Sequence, residues 1–171
     1  MTKAGNRFAY EKTLGRNVSR IFIVVAGVFF LLACPAGADG VKGFTKTTIQ
    51  IETRAGRSLE FEAFLALSVK QQARGLMFVD ELGERQGMLF VYQKSSNISM
   101  WMKNTVLSLD MLFIRRDGTI ARVEKATRPY ALDRIVSGEP VLAVLELNAG
   151  VADKYGIQPG DRVISRYFGN D

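Results

Sequence analysis

Histidine is absent from this 171-residue chain, and cysteine occurs once, at Cys34. Those two gaps exclude Ser-His-Asp triads, Cys-His nucleophiles, His-ligated zinc and ordinary zinc fingers. No P-loop or dinucleotide-binding glycine signature occurs either, so a phosphate-cradling loop is not expected. The longest apolar run, Ile21 to Ala33, falls well short of the ~20 residues that cross a bilayer as a helix. What remains for chemistry is carboxylates, lysines, arginines, hydroxyls and thioethers. Neither a metal nor an organic cofactor is expected.

Charge of one sign is also scarce once its position is considered. The formal net charge is +6, but Lys3, Arg7, Lys12, Arg16 and Arg20 oppose only Glu11 before residue 39. The remainder carries 18 basic and 16 acidic residues with the signs interspersed. A nucleic-acid partner is therefore not expected.

Residues 1–38 read as an export signal: a basic segment, the apolar run, then Ala36-Gly37-Ala38 as a small-x-small cleavage site. Cleavage there would remove the only thiol, which suits an oxidising compartment. Leu31-Leu32-Ala33-Cys34 offers a second route, acylation of Cys34 and a lipid anchor. Contact with the membrane is expected only through the leader or that lipid. The expected location is periplasmic or otherwise extracytoplasmic, with the lipid-anchored form as the alternative.

About 130 residues then remain, close to the commonest domain size and enough to bury a core without a disulfide. Residues 39–46 are expected to form a flexible lead-in, and 47–168 one β-rich domain. Thr47–Thr53 and Leu59–Ala66 alternate around the turn Ala55-Gly56-Arg57, a hairpin pattern. Ser68 is placed to cap a short helix over Val69–Arg74, closed by Gly75. Further strands are expected at Gly87–Tyr92, Ile98–Lys103 and Leu109–Arg115. The turn Arg116-Asp117-Gly118 joins the last of these to Thr119–Glu124. An apolar strand at Pro140–Leu147, a helical turn at Val151–Tyr155 and a last strand at Arg162–Tyr167 complete the pattern. Short strands joined by Gly, Pro and Asp turns predict a mainly β domain, an antiparallel β-sandwich or barrel-like fold with one or two short helices. A parallel α/β fold is not expected, since few segments are long enough for crossover helices.

Three groups of polar residues lie in or beside the most apolar segments: Trp101-Met102-Lys103-Asn104-Thr105, Asp110 and Glu146. An unpaired charge in such surroundings costs several kcal/mol, so Lys103 or Arg74 is a candidate partner for the carboxylates. Such a set forms either a structural ion-pair network or a pocket with perturbed pKa values. Met77, Met88, Met100, Met102 and Met111 cluster in the middle of the domain. Thioethers suit Cu(I), though methionine more often fills a core.

Read in order, Arg74-Gly75-Leu76-Met77, Gly87-Met88-Leu89-Phe90, Trp101–Thr105, Leu109-Asp110 and Leu145-Glu146-Leu147 with Gly150 form a specific series. Gly156-Ile157 and Pro159-Gly160-Asp161 extend it. This series closely resembles the domain of unknown function 192 family over about residues 48–167. The resemblance implies a compact β-sandwich-like domain, commonly exported, without an established biochemical role or catalytic residues.

Binding is favoured over catalysis. A non-catalytic module for a small molecule, glycan or envelope protein would use Trp101 to stack, Arg74, Lys103, Asn104 and Thr105 as polar contacts, and Asp110 and Glu146 as acceptors. The alternatives are a hydrolase with Asp110 and Glu146 as acid and base, which needs both carboxyls in one cleft, and a methionine-based Cu(I) carrier.

Overall fold

A computed structural model describes residues 41–171 of the chain. The expected export signal at residues 1–38, Cys34 included, lies outside the described residues. Among the described residues seven strands form one sheet, in the order β5 (Ile120–Glu124), β4 (Leu109–Ile114), β6 (Ile135–Asn148), β3 (Gln86–Met100), β2 (Ser58–Ala66), β1 (Thr45–Glu52) and β7 (Arg162–Ile164). Strands β1 (Thr45–Glu52) and β2 (Ser58–Ala66) make the expected hairpin, with Glu52 opposite Ser58. Strands β4 (Leu109–Ile114) and β5 (Ile120–Glu124) make the second. Asp117 fixes the β4–β5 turn by accepting a 2.9 Å hydrogen bond from the Thr119 N–H.

The sheet curls until its edges meet. Ile120 N–H donates to the Asp161 carbonyl at 2.8 Å, and Val163 N–H, in β7 (Arg162–Ile164), donates to the Gly118 carbonyl at 2.8 Å. Closure removes the unpaired edges that an open sheet would expose. The mainly β, barrel-like fold with two short helices is as expected.

Several details differ from expectation, each for a local reason. Strands β2 and β3 (Gln86–Met100) pair in parallel, Glu62 against Gln86 and Ala66 against Phe90. The connection between them crosses the outer face of the sheet. It needs only one helix, α1 (Val69–Arg74), and an irregular segment whose Leu76, Val79 and Leu82 are buried. The two strands expected at Gly87–Tyr92 and Ile98–Lys103 are one, because β6 (Ile135–Asn148) is nearly as long and pairs with it towards both ends. Register shifts between Val91 and Ser96 and between Asn97 and Ser99 absorb the irregularity, and Pro140 sits opposite Asn97 between them, where a missing N–H is tolerated. Within the lead-in, Val41 is buried, and Gln71 Nε2 donates to the Gly43 carbonyl at 3.3 Å.

Helix α1 starts as its sequence dictates. Ser68 Oγ accepts from the Gln71 N–H at 3.3 Å while Gln71 Oε1 accepts from the Ser68 N–H at 3.0 Å, a complete capping box. Gly75 ends it at φ 48°, and a Cβ there would lie 3.1 Å from the Phe90 ring. Gly87 allows the closest approach of β3 to β6: a Cβ would fall 2.6 Å from the Glu146 carbonyl oxygen.

Alternate residues of the same strands supply two cores. Ile49, Ile51, Phe61, Leu89, Leu112 and Leu145 fill the barrel. Phe64, Met88, Phe90, Met111, Phe113 and Val144 face outward and are covered by the β2–β3 connection. Each large side chain so buried contributes about 1.5–3 kcal/mol.

Candidate functional site

A cleft of about 260 Å³ opens in the outer layer, between α1 with the residues after it and the end of β3. Its walls include Met77, Phe90, Tyr92, Met100 and Trp101, and Glu146 lines it from β6. Strand alternation aims Phe90, Tyr92 and Glu146 here, because residues of one face recur every second position. Trp101 follows the last residue of β3 and is 49% exposed, whereas Glu146 is only 4% exposed. Tyr92 OH donates to Met100 Sδ at 3.5 Å, which fixes one wall.

Among the described residues nothing hydrogen-bonds to the Glu146 carboxyl. Burial alone pushes its pKa up to about 8 from the usual 4.5, so it is mostly neutral at pH 7. Burial, and then the Glu146 charge, push the Tyr92 phenol up to about 12. A carboxyl kept protonated by its surroundings is an available donor, and when ionised a strong acceptor.

The expected site residues divide. Arg74, Trp101, Thr105 and Glu146 line the cleft. Arg74 Nη1 donates to the Lys42 carbonyl at 3.2 Å and its guanidinium lies 5.6 Å from the Phe44 ring centroid. Thr105 is buried and its hydroxyl donates to the Lys103 carbonyl at 3.2 Å, tightening the loop. Lys103 sits beside the cleft, its Nζ 5.2 Å from the Trp101 ring centroid. Asn104 supports the wall from behind. It adopts φ 53°, its carbonyl accepts from the Phe78 N–H at 3.0 Å, and its Nδ2 donates to Met77 Sδ at 3.8 Å.

Asp110 belongs elsewhere. It pairs with Leu147 across β4 and β6, while Met111 pairs with Glu146, so the two carboxyls project from opposite faces of the sheet. The acid–base pair considered from the sequence is therefore not assembled. Nor does Asp110 take Lys103 or Arg74 as partner. It is fully buried, and its two oxygens accept 2.9 Å hydrogen bonds from the Ala126 and Ala152 N–H groups. Ala126 is left-handed at φ 48°, and Ala152 lies in the first turn of α2 (Val151–Tyr155), whose own Gly150 offers no side-chain cap. Asp161 plays a similar part, accepting from the Arg54 and Gln158 N–H groups at 2.8 Å.

The methionines spread through the outer core. Met88, Met102 and Met111 are at most 1% exposed, and only Met77 and Met100 reach the cleft. Sequence reasoning missed Tyr92 and Phe90 as cleft residues. Their signal was the alternation Met88, Phe90, Tyr92, which shares one face of β3.

The comparisons with known proteins agree with the fold and supply no activity. No curated protein matches the chain. A crystal structure from Sinorhizobium meliloti 1021, of a protein provisionally described as a transcription regulator, is 40% identical. It superposes with a TM-score of 0.71 over 72% of this chain and 96% of that one. A protein of unknown function from Novosphingobium aromaticivorans DSM 12444 is 35% identical, with a TM-score of 0.70 over 73% of this chain and 89% of that one. Residues 50–165 match the uncharacterised domain of unknown function 192 family, and the chain belongs to that family.

Proposed function

We propose that the domain is a non-catalytic binding module acting outside the cytoplasm, with a small molecule or the end of a glycan or envelope-protein segment seated in the cleft over Glu146. One observation carries this reading. A carboxyl that is 4% exposed and has no hydrogen-bond partner among the described residues faces an open cleft, and a half-exposed tryptophan stands beside it. A polar anchor within an apolar and aromatic wall is the usual composition of a ligand site. A buried group with a displaced pKa is also more common at such sites than elsewhere. The description of the Sinorhizobium protein concerns transcription, but beyond residue 38 the charges of this chain nearly cancel. Electrostatics thus lends a nucleic-acid ligand no support.

Trp101 is the only tryptophan, so tryptophan-selective emission reports on the surroundings of this cleft. Titration with a panel of amines, amino acids, sugars and short peptides is expected to give a saturable emission change with at least one class. Calorimetry on Trp101→Ala should then show affinity reduced about tenfold or more, the scale of a lost aromatic anchor. If folded Trp101→Ala and Lys103→Ala proteins keep full affinity for every ligand found, the site is wrong.

The extracytoplasmic setting rests on the leader. The mass of the chain recovered from the cell envelope is expected to correspond to a start at Asp39. A start at an acylated Cys34 would replace the soluble form with the anchored one, and a full-length chain in the cytoplasm would overturn export.

A further inference from the structure

The character of the cleft narrows what it would take, granted that it is a binding site at all. We propose that its ligand is a small organic monocation, an ammonium group on a short apolar body, held between the Glu146 carboxylate and the rings of Tyr92 and Trp101. Glu146 is the one carboxylate on the cleft lining, and it is nearly buried without a hydrogen-bond partner among the described residues. The rings and the thioethers of Met77 and Met100 line the same space. Aromatic faces attract cations and repel anions. The chain itself shows the geometry, since the Lys103 ammonium lies 5.2 Å from the Trp101 ring centroid. The Arg74 guanidinium, the other charge on the lining, is drawn towards the Lys42 carbonyl and the Phe44 ring. A space of about 260 Å³ accommodates an ammonium group on a short apolar body.

Proton linkage separates this ligand from an uncharged one. Ionised Glu146 attracts an ammonium group, so binding a cation releases the proton that burial holds on the carboxyl until about pH 8. An uncharged acceptor ligand would instead require the protonated form. The other titratable groups near this carboxyl are Arg74 on α1, Tyr92 on β3 and Lys103 in the loop after it. Tyr92, raised to about 12, keeps its proton throughout the range.

Choline, n-butylammonium and the uncharged dimethylbutanol isostere of choline are the probes, titrated into the intact domain at pH 6, 7 and 8. At least one cation is expected to saturate the Trp101 emission change, with the isostere tenfold weaker or more. The cation's affinity should fall about fivefold from pH 8 to pH 7 and about ninefold more from pH 7 to pH 6. Glu146→Gln should abolish both the cation preference and the pH dependence. Because Gln keeps the size of Glu and removes a buried ionisable group, a folded protein is expected, with Trp101→Leu as the second variant that should weaken the cation. Equal binding of the isostere, or cation affinity unchanged with pH, overturns the cation proposal and leaves the cleft as a site for uncharged ligands. If neither these probes nor the wider panel perturbs Trp101, both the cation proposal and the binding reading fall.

Discussion

Replacing Glu146 by Gln is expected to remove most of the loss of stability that the protein suffers between pH 5 and pH 8. The sign follows from the direction of the shift. Burial raises the folded-state pKa from 4.5 to about 8, so over that interval the native state holds a proton that the unfolded chain has released. Stability must then fall as pH rises, beginning near pH 4.5 and levelling above about 8. At about 1.4 kcal/mol per pK unit the full interval sets an upper bound of roughly 5 kcal/mol. Urea unfolding of the wild-type and Gln proteins at pH 5, 7 and 9 gives the difference directly, because the other titrating groups are common to both. The two stabilities should diverge by several kcal/mol as pH rises. Parallel curves would mean that the carboxyl is solvated or paired, contrary to the cleft described above.

Asp110→Ala should be the more damaging change at neutral pH, although it leaves the cleft intact. Two backbone N–H groups, that of buried Ala152 and that of Ala126 in a part-buried bond, lose their side-chain acceptor. Each stranded donor costs about 1–3 kcal/mol, so a loss of roughly 3–5 kcal/mol is expected. Asp110→Asn keeps one acceptor oxygen and turns its amide towards the other donor, so its cost should be smaller but still measurable. Unfolding midpoints test the order Asp, Asn, Ala. If the folded Asn variant lost the Trp101 emission response to ligand, Asp110 would belong to the site after all. Wild-type stability in the Ala variant would remove its role as a tether.

The parts of the fold legible in the sequence are those governed by neighbouring residues. Ser68 announces the start of α1, Gly75 its end, and Asp117-Gly118 the β4–β5 turn. Long-range pairing was not legible, because the polar residues 93–97 resemble a loop unless β6 is known to lie beside them. The faces of Asp110 and Glu146 were hidden for a different reason. Strands β4 and β6 are buried on both sides, inside the barrel and beneath the β2–β3 connection, so their sequences are apolar without alternation. A polar residue in such a run gives no sign of which side it serves. Only the register, Asp110 against Leu147 and Met111 against Glu146, separates a structural carboxylate from one that faces the cleft. The family motifs divide accordingly: Gly75 and Gly87 permit close packing, Asp110 ties loops together, and Trp101 with Glu146 meets the cleft.

The most direct test of a ligand site over Glu146 is to map ligand-induced shifts of the methionine methyl and tryptophan indole resonances. A compound selected by the emission screen is expected to move Met77, Met100 and the Trp101 indole together, and Glu146→Gln should reduce all three shifts in parallel. Shifts gathered instead at the groove lined by Thr47, Gln50, Ser165 and Arg166, with the three cleft signals unmoved, would contradict the account.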